Sequence, residues 1–351
     1  MRPFRRRSRR PTRRDRSRAV MEALEPRVLL TVTPVTDTGN IATNGTNLQT
    51  AINNAVYGDI IVLDANASYL CPSGGFLLPY KSGTGTITIE SADIYNGLGH
   101  LPAGVRVGAG VAQYMPKLLT GGGNSAVIKT QIDANGNPTH GFSMLGLEIA
   151  PLNASDSFTN GFVQLGINTS AQNTAAKVAH DFTVDRCYVH GLDPLSATLF
   201  ANYKSGISIN CAYTTISNCE VSNIHTQIPD CQAVSGVNGT GHFTITNNYL
   251  EGSSECFIYG GGTTYIDQNV PTDMVFTNNH LAKRISWNQY DPAFYDPDNG
   301  NFGIKWNIKN LFEIKNFQNV LLDGNLMDNS WVSGDQSANG VLFTASPHIS
   351  R

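Results

Sequence analysis

Between residues 142 and 327 apolar and polar side chains alternate in short runs, and the same run returns several times. It reads FTVDRCYV over Phe182–Val189, TISNCEV over Thr215–Val221, FTITNNYL over Phe243–Leu250, MVFTNNHL over Met274–Leu281 and VLLDGNLM over Val320–Met327. A fainter copy, FSMLGLEI, occupies Phe142–Ile149. Alternation of this kind predicts strands with one buried face. Aligned on their apolar positions, the copies put Leu147, Cys187, Cys219, Asn248, Asn279 and Asn325 in one column. The steps along it are roughly 30 to 45 residues, the range of solenoid repeats.

A single short strand cannot bury its apolar side alone. Copies stacked about 4.8 Å apart line a continuous interior and satisfy each other's backbone groups. Asn at the bend fits, because each side-chain amide bonds to the next amide and to turn backbone. A β-sandwich with Asn-rich turns does not explain one column keeping one residue type. The expected fold is therefore all-β, a single-stranded right-handed parallel β-helix.

Thr46–Val56 is the one convincing helical stretch, with Leu48, Ala51, Ile52 and Ala55 on one face, Thr46 or Asn47 as cap and Gly58 as stop. It feeds the apolar strand Ile60–Leu63 and reads as the cap of the first coil. Two excursions interrupt the repeats, Gly260–Asn269 and the aromatic-rich Ala282–Trp306.

Composition sharpens this picture in two ways. Only 15% of residues are charged and Gly numbers 34, which suits strands and tight turns rather than a helical bundle. Residues 1–27 carry eleven Arg against three acids, so a formal net charge of −3 leaves −11 for the rest. Head and body thus belong to different functional classes. The head lacks the aromatic interleaving and the folded basic module of a nucleic-acid binder, and no nucleic-acid partner is expected. No stretch is long and apolar enough to span a membrane. Six Cys without a CxxC pair disfavour a zinc ribbon, and Cys187 and Cys219 on neighbouring coils fit either a disulfide or stacked free thiols.

Leu24–Leu30, LEPRVLL, resembles the LEPR-xLL motif at the N-termini of many large surface or exported proteins of planctomycetes and related bacteria. The resemblance implies an export or envelope-sorting address and an extracellular or cell-envelope location. The Leu48–Leu63 opening and the phrases Val270–His280, Lys309–Asn316 and Leu322–Asn325 resemble the pectin-lyase-like parallel β-helix superfamily. This implies the architecture over roughly residues 46 to 345 and leaves the chemistry open, since the fold hosts lyases, hydrolases, esterases, epimerases and adhesins. The division expected is an Arg-rich sorting segment over 1–30, a linker or edge strand over 31–45, and a β-helix over 46–351. With no closing cap recognisable before Arg351, the β-helix reads as C-terminally incomplete.

Strands preceding each repeat offer the candidate chemistry. With Phe312 and Ile314 inside, Lys309, Leu311, Glu313 and Lys315 face out; with Cys256 and Ile258 inside, Glu255, Phe257 and Tyr259 do. Glu255, Lys309, Glu313 and Lys315 are the expected catalytic groups, and Asp230, Gln232, Tyr259, Trp287 and Trp306 the expected substrate contacts. Such a groove suits an acidic polysaccharide, cleaved by β-elimination with a Lys base or hydrolysed between two carboxylates. A divalent cation such as calcium is one way to stabilise the charge of elimination, with no ligands assignable. The competing readings are a solvated charge ladder and a glycan-binding, structural or adhesive surface module without catalysis. Trp287 and Trp306 stack on sugar or pin their loop. A second candidate cluster, His190, Asp193, His225 and Glu251, lies just beyond the bend.

Overall fold

The computed structural model describes residues 30–120, 126–331 and 338–344; the Arg-rich head and all but the last residue of the LEPR-xLL segment lie outside them. Three sheets, parallel throughout, hold nine, eight and eight strands among the described residues. The first runs from Val32–Val35 to Gln318–Asp323, the second from Ser68–Leu70 to Leu326–Asp328, and the third from Phe76–Leu78 to Val341–Phe343. Each turn of the chain adds one strand to the sheets in succession, so the molecule is a right-handed parallel β-helix. No helix among the described residues is long and apolar enough to cross a membrane.

Register is held coil to coil. On the first sheet Phe142, Phe182, Thr214, Phe243, Met274 and Val320 pair in sequence, as do Met144, Val184, Ile216, Ile245, Phe276 and Leu322. These files, with Phe257 and Phe312 stacked 5.1 Å apart, form one continuous core. At the bend the Asn column forms a ladder. The Cys219 N–H donates to Asn248 Oδ1 (2.9 Å), the Asn248 N–H to Asn279 Oδ1 (3.0 Å) and the Asn279 N–H to Asn325 Oδ1 (2.9 Å). Cys187 and Cys219 take the same places as free thiols, the Cys187 N–H donating to Cys219 Sγ at 3.4 Å.

The residue before each ladder position is in the left-handed region: Gly146, Arg186, Asn218, Asn247, Asn278 and Gly324 have φ from 52 to 66°. That conformation turns the chain sharply and favours Gly and Asn. Asp273, within the Thr272–Thr277 strand, is also at positive φ (63°).

The cap helix, α1, spans Ile41–Asn54, starting five residues before the expected Thr46, and its cap is Asn40, whose side chain accepts from Ala42 and Thr43 N–H. Its early Asn44 and Gly45 read as poor helix formers, yet packing requires them. A Cβ at Gly45 would lie 1.7 Å from the Leu70 carbonyl oxygen, and Asn44 bonds Asp37 and the Ser68 carbonyl. Val32–Val35 pairs in parallel with Ile60–Leu63 at the edge of the first sheet.

Residues 92–116 form a strap over the outer face of the second sheet. Leu101, Val107 and Met115 bury themselves there with Tyr188. The strap bonds the left-handed corners directly. Arg186 Nη1 donates to the Leu101 carbonyl (2.7 Å), the Val107 N–H to the Asn218 carbonyl (3.0 Å), and Arg106 to the carbonyls of Asn247 (3.0 Å) and Asn278 (3.1 Å).

Candidate active site

On the third sheet each coil turns a corner by pointing two successive residues inward: Gly206–Ile207, Ala233–Val234, Cys256–Phe257 and Leu311–Phe312 are all buried. This breaks the period of two and corrects the expected facing. Phe257 and Tyr259 lie in the core, Ile258 faces out, and Leu311 is inside rather than exposed. Tyr259 therefore leaves the site: its ring packs on Phe243 and Phe317, and its hydroxyl accepts from the Gly239 N–H at 2.9 Å.

The outward residues share one open groove of about 560 Å³, within the roughly 300–1,000 Å³ usual for ligand sites. Asp230, Gln232, Glu255, Lys309, Glu313 and Lys315 all line it. So do Lys204 and the serines 205, 208 and 235, which no motif or repeat position singles out in the sequence. Ser205 Oγ lies 3.2 Å from Ser235 Oγ and 3.4 Å from Ser208 Oγ. Gly260, Gly261 and Gly262 edge the groove and keep it open.

The charges inside are arranged in pairs. Lys309 Nζ donates to Asp230 Oδ2 at 2.5 Å, and Asn307 Nδ2 donates to Asp230 Oδ1 at 2.7 Å. Lys315 lies 3.2 Å from Glu313, whose other oxygen accepts from Asn310 Nδ2 at 2.9 Å. Lys204 donates to the Asp230 main-chain carbonyl at 3.3 Å. Glu255 differs from the other two acids in its partner. It is as buried as Glu313 (2% and 3% exposed), but its side chain accepts from the neutral Gln232 Nε2 at 2.8 Å, where Asp230 and Glu313 each meet a lysine. Burial, opposed by the Gln232 bond and reinforced by the Asp230 charge, raises its carboxyl to about 7. The groove thus holds a carboxyl that exchanges its proton near neutrality beside a carboxylate anchored by a lysine.

The aromatic insertion does not wall this groove. Trp287 and Trp306 are buried with Ile304 and Ile308 in a separate cluster, Trp306 edge-on to Phe200 and tilted on His225. They pin the insertion to the coil. Of the second candidate cluster, His190 stands apart, while His225 reaches Asp193 and Glu251 through Asn223. The Asn223 Oδ1 lies 3.0 Å from His225 Nδ1, its Nδ2 donates to Asp193 at 2.8 Å and its N–H donates to Glu251 at 2.8 Å. His190 bonds Glu148 (3.1 Å) and the Gly191 carbonyl, while His225 is fully buried and pushed down to about 3 by desolvation. Asp193 and Glu251 meet also through Arg284, which lies 2.7 Å from each. Arg284, on the insertion, carried no signal in the repeat pattern. Among the described residues no group of three or more His, Cys, Asp or Glu is placed to hold a metal ion.

No family model matches the chain, and no curated protein does. Among solved structures it is similar to an alginate lyase from Paenibacillus sp. str. FPU-7, at 12% identity and a TM-score of 0.36 over 88% of this chain and 99% of that one. It is similar also to the pectate lyase Pel9A, at 12% identity and a TM-score of 0.36 over 91% and 78% of the two chains. A family 28 exopolygalacturonase of Yersinia enterocolitica matches at 12% and 0.34, over 91% and 73%.

Proposed function

We propose that the groove binds an acidic polysaccharide and hydrolyses it, with Glu255 as proton donor and Asp230 as the carboxylate working beside it. One observation carries this reading: two acids in one groove have environments that separate their roles, Glu255 buried and proton-bearing near neutral pH, Asp230 bonded to Lys309 and Asn307. Such separation is how paired carboxyls divide acid and base work. Glu255 would protonate the glycosidic oxygen, while Asp230 activates water at, or attacks, the anomeric carbon; water completes the cleavage. Lys309 and Lys315 are both paired with carboxylates, which suits the ammonium form and disfavours either as the base of an elimination.

Substrate charge follows from the same residues. With Glu255 protonated, three lysines face two carboxylates, and the surplus positive charge favours an anionic sugar. The LEPR-xLL segment supports export to the envelope or medium, where such polymers are met. The rival reading, a groove that holds glycan without turnover, draws on the mutual pairing of Lys309 with Asp230 and Lys315 with Glu313.

Incubation with a panel of uronate-containing polysaccharides decides between them. New reducing ends without unsaturated products are expected, and Glu255→Gln should lower the rate by about 10²–10⁴-fold. Unsaturated products would replace hydrolysis by elimination, and binding without either product would leave the rival.

A further inference from the structure

Against the turn that leads into Glu255 lies a second charged group that faces no solvent. Lys283 is 1% exposed. Its Nζ donates to the main-chain carbonyls of Gly252 (2.9 Å), Ser253 (2.9 Å), Ser254 (2.8 Å) and Asn310 (3.2 Å). Three of these belong to the turn that leads into Glu255, and the fourth adjoins Lys309. The Lys309 N–H itself donates to the Ser253 and Ser254 carbonyls, so the same turn is gripped from two directions.

Four carbonyls converging on one nitrogen suit an ammonium, which has three protons to share, better than an amine with two. Keeping a charge in the core is costly, and an apolar side chain of similar volume would serve packing alone at least as well. The cost is explained if the cation has work to do at the turn it holds.

We propose that Lys283 is the positioning residue of the groove: from inside the coil it fixes the Gly252–Ser254 turn, and with it the placement of Glu255 against Lys309 and Asp230. The inference rests on the catalytic reading of Glu255. Burial pushes the Lys283 ammonium below its usual range, opposed by Cys256, Glu255, Cys231 and Glu251, the titratable groups that face it, and by its four carbonyl partners. Through space the same cation favours the ionised form of Glu255. Around Glu255 the other charged groups are Asp230 and Lys309.

Two measurements test this on the full chain. In the first, Lys283→Met is compared with the unsubstituted protein across pH on a cleaved polysaccharide. The expected result is a kcat lower by about tenfold or more with KM within about twofold, and a basic limb moved to higher pH by roughly half a unit. Lys283→Arg, which keeps the charge in a different shape, should restore the limb but not the rate. Unchanged kcat and limb in a folded Lys283→Met chain would overturn the proposal. Because that substitution strands four carbonyls and lowers Tm, the second measurement needs no substitution at Lys283. The 15N resonance of its ammonium should be protected from solvent exchange and should move as pH passes through about 7, and Glu255→Gln should abolish that movement. A resonance that exchanges freely, or that ignores Glu255, overturns the proposal. If the unsubstituted chain cleaves nothing, the hydrolytic reading fails alone and the resonance still decides the coupling.

Discussion

Glu255 and His225 respond to acid in opposite directions. Glu255 sits at about 7 in the fold against an ordinary 4.5, so between those values the unfolded chain has lost a proton that the fold retains. Its contribution is present below 4.5 and lost as pH rises to 7. His225 sits at about 3 against 6.5, so the unfolded chain binds the extra proton, and stability is lost as pH falls from 6.5 towards 3. Between 4.5 and 6.5 the two slopes oppose one another. Glu255→Gln should therefore gain about 1–3 kcal/mol relative to the unsubstituted chain as pH rises from 4.5 to 7. Denaturant melts at fixed pH read this directly, and parallel curves would show that Glu255 is not buried as a neutral acid. The sequence put Glu255 in the site through its place before the repeat. Its proton affinity was not legible there, because that depends on the burial produced by neighbouring coils.

At the scale of the element, the bend ladder was legible because every coil poses the same problem: an unpaired main-chain N–H beside a sharp turn. Asn279 solves it by accepting from Asn248 and donating to the Ile245 carbonyl at 2.9 Å. Asn279→Ala strands both groups inside the molecule and should cost about 2–4 kcal/mol, measured by equilibrium unfolding. A loss under half a kcal/mol would mean that water reaches the bend. The third-sheet corner was not legible. Two adjacent inward residues, Cys256 and Phe257, imitate an ordinary register in the string of letters, and only the stacking of Phe257 on Phe312 reveals the phase. The start of α1 was hidden for a related reason, since Asn44 and Gly45 answer to Ser68 and Leu70 rather than to helix propensity. Trp287 and Trp306 look the same in sequence whether they meet a sugar or, as in the fold, pack on His225.

Across the whole molecule, the fold gathers onto one face charges that are far apart in the chain, from Lys204 to Lys315. Attraction of an anionic polymer to that face is screened over about 10 Å at 0.1 M salt. Lys204→Ala and Lys315→Ala should each raise KM for acidic polymers several-fold at low salt, and the difference should shrink as salt is added. Steady-state kinetics across a salt series, with melts to confirm folding, checks this; equal KM values at low salt would remove the charge argument.

A stack of coils that touch only their immediate neighbours behaves like a one-dimensional Ising chain, free to fray or open one unit at a time. The strap changes that statistics. By tying Arg186, Asn218, Asn247 and Asn278 to one stretch of backbone, it adds a bond of longer range that several units must break together. Native-state hydrogen exchange should find these coils opening as one cooperative block, and Arg106→Ala should release the Asn247 and Asn278 units to exchange on their own.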